Sequence, residues 1–252
     1  MTLASAPLPE NASDKTEKTG WRVWVALVIA PILLAVWVGA FYMYLGVFTH
    51  DTSQPQDLQI NRFLPYILML NHTLLFLRVV WFLHGEGLTL KAIGWKLPTG
   101  VRSLWLEIGL GLAAGVVLYL TDHYGFTPAI VAVLKKLHWA SGGEEDSSTY
   151  TAAPLAVWLI AVTVFPAVEE TLYRGYALTR IRPRLGLPLG VLVASVFFGA
   201  LHFGEGINGI LSATVYGFLV SGLFLWRKSL VGPFVAHSLA NAIDLLRTVH
   251  RW

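Results

Sequence analysis

Two adjacent carboxylates, Glu169 and Glu170, follow directly on a seventeen-residue uncharged run, Ala152 to Val168, that is apolar enough to enter a bilayer. An ionisable side chain inside a spanning helix costs about 2.5 to 3.5 kcal/mol on insertion scales, so such residues usually face the bundle interior and have a function; the other reading is a solvated helix end in the headgroup region. Helix geometry assigns the two acids different partners. Glu170 and Arg174 are four apart on one face, with the acid nearer the N-terminus, the better orientation for an intrahelical ion pair. Glu169 points about 100° away, and its i+3 and i+4 neighbours are Leu172 and Tyr173, so it is the carboxylate left to act.

Two further polar pairs interrupt later apolar runs at the same spacing: Phe198 with His202, and His237 with Asn241. Each pair occupies one helical face. Depth suggests that they meet Glu169. Counting from the basic end near Arg182, Glu169 lies about 13 residues, or roughly 20 Å, into its helix. A returning helix that starts near Leu187 brings His202 to roughly 22 Å, and His237 and Asn241 reach about 12 to 20 Å from the next basic loop. A carboxylate, two imidazoles and an amide would then line one intramembrane cavity.

The chemistry open to that set is narrow. The chain has no cysteine, which removes disulfides, thiolate metal sites and a cysteine nucleophile. It has no G-x-S-x-G and no H-E-x-x-H, and HFGEG at 202–206 does not supply one. What remains is activation of water by a desolvated carboxylate together with a histidine, with His and Asn donors stabilising an oxyanion. Such a set hydrolyses amides.

The elements that must position these residues are membrane spans. The 252 residues are 55% hydrophobic and 13% charged, with a mean hydropathy of +0.60, which predicts an all-α, polytopic transmembrane helical bundle. Ten Trp and nine Tyr suit interfacial belts. Seven spans are predicted (7–8 allowing for the boundaries): Val23–Phe48, Phe63–Leu83, Leu104–Leu120, the run that carries the glutamates, Leu185–Leu201, Ile207–Trp226 and Ser229 to about Leu246. Residues 1–20 read as a disordered tail, 21–150 as N-terminal spans and loops, and 151–252 as the core that carries the motifs. Residues 122–150 read as a polar connection with a short amphipathic piece near Ile130–Trp139 and a solvated SGGEEDSST run. His72, inside the second span, reads as a structural hydrogen-bonder. The stripe Ala213, Gly217, Ser221 on the sixth run reads as a close-packing surface.

Cations lie in alternate loops: Lys15, Lys18 and Arg22; Lys91, Lys96 and Arg102; Arg180, Arg182 and Arg184; Arg227 and Lys228. The positive-inside rule puts those loops and the N-terminus in the cytoplasm and the C-terminus outside, against Arg247 and Arg251 at the tail and Lys135 and Lys136 in the third loop. The net charge of +3 is thereby topological and gives no sign of nucleic-acid binding.

Glu169-Glu170-x-x-x-Arg174, Phe198-x-x-x-His202 and His237-x-x-x-Asn241, in this order on successive late helices, resemble the CPBP family of type II CAAX-prenyl endopeptidases and bacteriocin-immunity membrane proteins. The resemblance covers about Pro154 to Asp244. It implies an intramembrane endopeptidase in which Glu169 and His202 activate the attacking water, His237 and Asn241 form the oxyanion site, and Glu170, Arg174 and Phe198 support them. It implies as substrate a membrane-anchored protein or peptide, CAAX-like where prenylation exists, and as location the inner membrane for a bacterial source. The family has been described both as metallo and as glutamic; Glu169, His202 and His237 could ligate zinc, but no spacing requires a metal, and the metal-free reading is preferred. The rival readings are a non-catalytic immunity or peptide-binding membrane protein and a small proton-coupled transporter. The transporter would show the internal repeat common in such folds, and the sequence has none.

Overall fold

The computed structural model describes residues 20–45, 56–96, 101–139 and 153–250. The expected tail and the SGGEEDSST run fall outside the described residues. Those described are helical, with no strand among them. The helices are α1 (Trp21–Tyr44), α2 (Gln56–Gly85), α3 (Val101–Thr121), α4 (Thr127–Lys136), α5 (Leu155–Glu170), α6 (Thr179–Leu185), α7 (Leu187–Ala200), α8 (Gly206–Arg227) and α9 (Val231–His250). They form seven rods at the seven expected places, because α3 runs on into α4 and α5 into α6 through π-helical turns.

Five rods are long and apolar enough to cross a membrane: Trp21–Tyr44, Ile60–Gly85, Ser103–Lys136, Leu155–Leu185 and Phe203–Arg227. The fifth rod in chain order, α7, is apolar but only 14 residues long. The seventh, α9, is a 20-residue helix that turns His237, Asn241 and Asp244 towards the interior, which lowers its hydropathy. The chain is an integral membrane protein, with large apolar side chains exposed along these helices.

The third rod departs from expectation. Residues 122–136 are helical, not a polar connection: a π turn over Asp122–Phe126 carries the helix past Asp122, and Pro128 falls in the first turn of α4. The turn is held by Thr127, whose hydroxyl contacts Asp122 and, at 2.8 Å, Ser212 on α8.

Glycine sets how closely the rods approach. Gly111 and Gly115 on α3 face α9: a Cβ on Gly111 would lie 2.8 Å from the carbonyl oxygen of Gly232, and one on Gly115 would lie 2.7 Å from that of Ala236. This is the small-xxx-small seam by which helices pack tightly in lipid. The expected stripe on α8 also packs. A Cβ on Gly217 would come within 3.0 Å of the Phe198 ring, and Ser221 bonds the Gly217 carbonyl at 2.8 Å. Gly199 on α7 is the tightest contact with α8, since a Cβ there would fall 2.1 Å from the Thr214 hydroxyl and 2.4 Å from the Ile210 carbonyl. Gly199→Ala is therefore expected to separate α7 from α8 and to cost about 1 to 3 kcal/mol, as overpacking does. Thermal unfolding in detergent checks this, and an unchanged transition would show that the two helices are not so close.

Glu86, at the end of α2, is buried with Arg180: the guanidinium contacts its carboxylate, and the Tyr176 hydroxyl donates to it at 3.1 Å. Arg227 likewise pairs with buried Glu107 at 2.6 Å. Two of the cations expected to act as loop charges are thus neutralised inside the fold.

Candidate active site

The path of α5 delivers the two glutamates to the centre of the molecule. Pro166 has no amide hydrogen and loosens the helix three residues before Glu169. Directly after Glu170 the backbone becomes π-helical over Thr171–Leu178, every residue of which is buried. Such widened turns are rare and occur frequently at functional sites. Here the Thr171 hydroxyl, bonded to the Ala167 carbonyl at 2.5 Å, accepts from the Trp95 indole at 2.7 Å and pins the junction.

Glu170 has no exposed surface and is held by two donors at one oxygen, Arg174 Nη1 at 3.0 Å and His237 Nδ1 at 3.0 Å. The expected i,i+4 pair is present. Arg174, also buried, spends Nη2 on the Gly217 carbonyl at 3.0 Å and lays its guanidinium over the Phe198 ring at 4.4 Å. Phe198 in turn touches both site histidines, with ring centroids 5.0 Å from His202 and 5.6 Å from His237. Glu170, Arg174 and Phe198 thus form one buried block that links α5, the π segment, α7, α8 and α9.

Glu169 turns the other way, into a cavity of about 280 Å³. His202, His237 and Asn241 line the same cavity, as do Phe198 and Tyr216. His202 lies just beyond the end of α7, in a turn, and its Nδ1 donates to the Phe198 carbonyl at 3.1 Å; a carbonyl can only accept, so in the neutral ring Nε2 is left as a proton acceptor. His237 Nε2 is 3.7 Å from Glu169 Oε2. The cavity therefore presents a carboxylate, an accepting imidazole, a second imidazole held by Glu170, and an amide.

His72 also belongs to this site. Its Nε2 meets Glu169 Oε1 at 2.8 Å, its Nδ1 donates to the Leu68 carbonyl at 2.8 Å, and its ring stacks on Phe165 at 4.2 Å with an interplanar angle of 7°. From sequence alone it is expected to be a structural hydrogen-bonder between helices. It is one, but its partner is the central carboxylate. Asp122, Glu205 and Asp244 line the cavity as well, and none was singled out from sequence. Asp244 is tied to Arg247 at 3.3 Å.

Glu169, His202 and His237, the residues expected to ligate zinc if a metal is present, line the cavity together. Glu169 Oε1 is already engaged by His72, and no group of three or more His, Asp or Glu side chains among the described residues is set to hold a metal ion.

Residues 151–243 match the family model described as Type II CAAX prenyl endopeptidase Rce1-like. The matched stretch holds the three motifs that carry the resemblance. Along most of the chain the similarity continues more weakly. The CAAX prenyl protease 2 of Rattus norvegicus is 24% identical over 242 residues, covering 92% of this chain and 73% of the relative, and that of Homo sapiens is 24% identical over 260 residues, covering 92% and 74%. No solved structure matches the chain at a significant level. Similarity to these proteases, together with the membrane-spanning helices, supports an endopeptidase that works within the membrane.

Proposed function

We propose that the cavity hydrolyses a peptide bond near the C-terminus of a membrane-anchored, prenylated protein, with water activated by Glu169 and His202 and no metal in the reaction. The observation that carries this reading is that Glu169, His202, His237 and Asn241, reached from three separate rods, line one cavity.

A water between Glu169 and His202 gives up one proton to the pair as its oxygen attacks the carbonyl carbon. The resulting oxyanion lies against His237 Nε2 and the Asn241 amide. In that role His237 carries both ring protons, Nδ1–H donating to Glu170 and Nε2–H to the oxyanion. Collapse of the tetrahedral intermediate breaks the C–N bond, and the proton taken from water passes to the leaving amine. General base assistance contributes about 10² to 10⁴ in rate, and a lost oxyanion donor costs about 10² to 10³. A cavity lined partly by Leu34, Leu68, Trp158 and Val162 offers apolar surface to a lipidated tail. The positive-inside rule, applied to Lys91, Lys96, Arg182 and Lys228, puts the N-terminus in the cytoplasm.

The test uses purified, detergent-solubilised protein and a quenched-fluorescent peptide ending in Cys-aliphatic-aliphatic-X, with the cysteine farnesylated or free. Cleavage of the farnesylated form, undiminished by a zinc chelator, is the expected result. Loss of cleavage with chelator would overturn the metal-free mechanism. Equal cleavage of both forms would overturn the prenylated substrate class. Absence of any cleavage by folded protein would favour a peptide-binding or immunity role.

A further inference from the structure

We propose that His72 is a positioning residue for the reaction: it anchors one oxygen of Glu169, so that the other faces the water. The inference rests on the reading of Glu169 as the group that activates water.

The geometry leaves little freedom. Nδ1 of His72 lies 2.8 Å from the Leu68 carbonyl, which can only accept, so Nδ1 carries a hydrogen. Nε2 then lies 2.8 Å from Glu169 Oε1, a distance at which two bare lone pairs would repel, so one proton occupies that contact. Whichever atom holds it, Oε1 is committed. Oε2 remains, near His237 Nε2 at 3.7 Å and open to the cavity.

The ring itself is fixed from two sides. Leu68, one helical turn earlier on α2, fixes its edge, and Phe165 fixes its plane. Phe165 sits one turn before Glu169, so the helix that carries the carboxylate also clamps the imidazole that orients it. His72 is 3% exposed, too little for water to take over its role. Glu169 lines the cavity, and a misplacement of about 1 Å in such a group can cost about 10²-fold in rate.

A role in packing alone predicts a different ranking of variants. His72→Phe keeps the ring on Phe165 and removes the donor, whereas His72→Gln keeps an N–H that can reach Oε1 and removes the ring. The expected result with the farnesylated peptide is that H72F loses about 10²-fold in kcat with KM essentially unchanged, while H72Q retains most of the activity. The reverse order, or wild-type kcat in both, would overturn the inference. Thermal unfolding accompanies each measurement. Should H72F not fold, His72→Asn replaces it, because its shorter amide cannot span to Oε1 and it is expected to fall below H72Q. Wild type and Glu169→Gln are run alongside. An active wild type, a dead E169Q and unaffected His72 variants would sink this inference alone; a wild type without activity, or an active E169Q, would remove the reading beneath it and the inference with it.

Discussion

Arg174→Met is expected to leave a protein that barely folds. The arginine is 1% exposed and Glu170 is fully buried. Removing one member of a buried pair abandons the other charge in a medium that cannot solvate it, which costs about 3 to 5 kcal/mol out of a total of about 5 to 15. Three contacts go together: the ion pair at 3.0 Å, the bond to the Gly217 carbonyl at 3.0 Å and the guanidinium over Phe198 at 4.4 Å. Because Phe198 touches both site histidines, activity should fall with stability. The double variant Glu170→Gln with Arg174→Met removes both charges and is expected to recover part of the stability, since a neutral amide needs no counter-ion. Thermal unfolding in detergent with circular dichroism reads both. A single variant as stable as wild type would show that the pair is not the structural block described above.

Glu169→Gln is the second large effect, and it is of the opposite kind. The glutamine keeps the size of the side chain and can still meet His72 Nε2 through its amide, so folding is expected to be retained. It cannot accept a proton from water. Cleavage should drop by about 10² to 10⁴, with peptide affinity nearly unchanged, because the lost interaction exists only as the water is deprotonated. His202→Ala should fall into the same range by removing the other acceptor, and the two losses should not add, since both residues serve one proton transfer.

How much of this was legible in the sequence varied with the distance over which each contact acts. The Glu170–Arg174 pair was readable because helix geometry fixes what stands four residues away, and a π segment still leaves i and i+4 as neighbours. The shared depth of Glu169 and His202 was readable because the rise of a helix is constant and membrane thickness limits where chains turn. The His72–Glu169 contact spans 97 residues, and no local spacing encodes it. Nor does any spacing encode the π turns, which depend on what packs around them. The Arg180–Glu86 pair defeated the charge count for a related reason: a cation at a span's basic end looks the same in sequence whether it meets water or a carboxylate on another helix. Gly111-x-x-x-Gly115 is a small-residue spacing visible in the sequence, and it is this seam that brings α9, with His237 and Asn241, against α3.

The claim at the centre of the account is that Glu169 drives water onto a peptide bond in this cavity. Its most direct test is a mass-spectrometric time course of the farnesylated peptide with wild type and with folded Glu169→Gln, chelator present in both. The account requires two fragments from a single cut near the modified cysteine with wild type, and intact peptide with the variant. The same fragments at the same rate from the variant would contradict it.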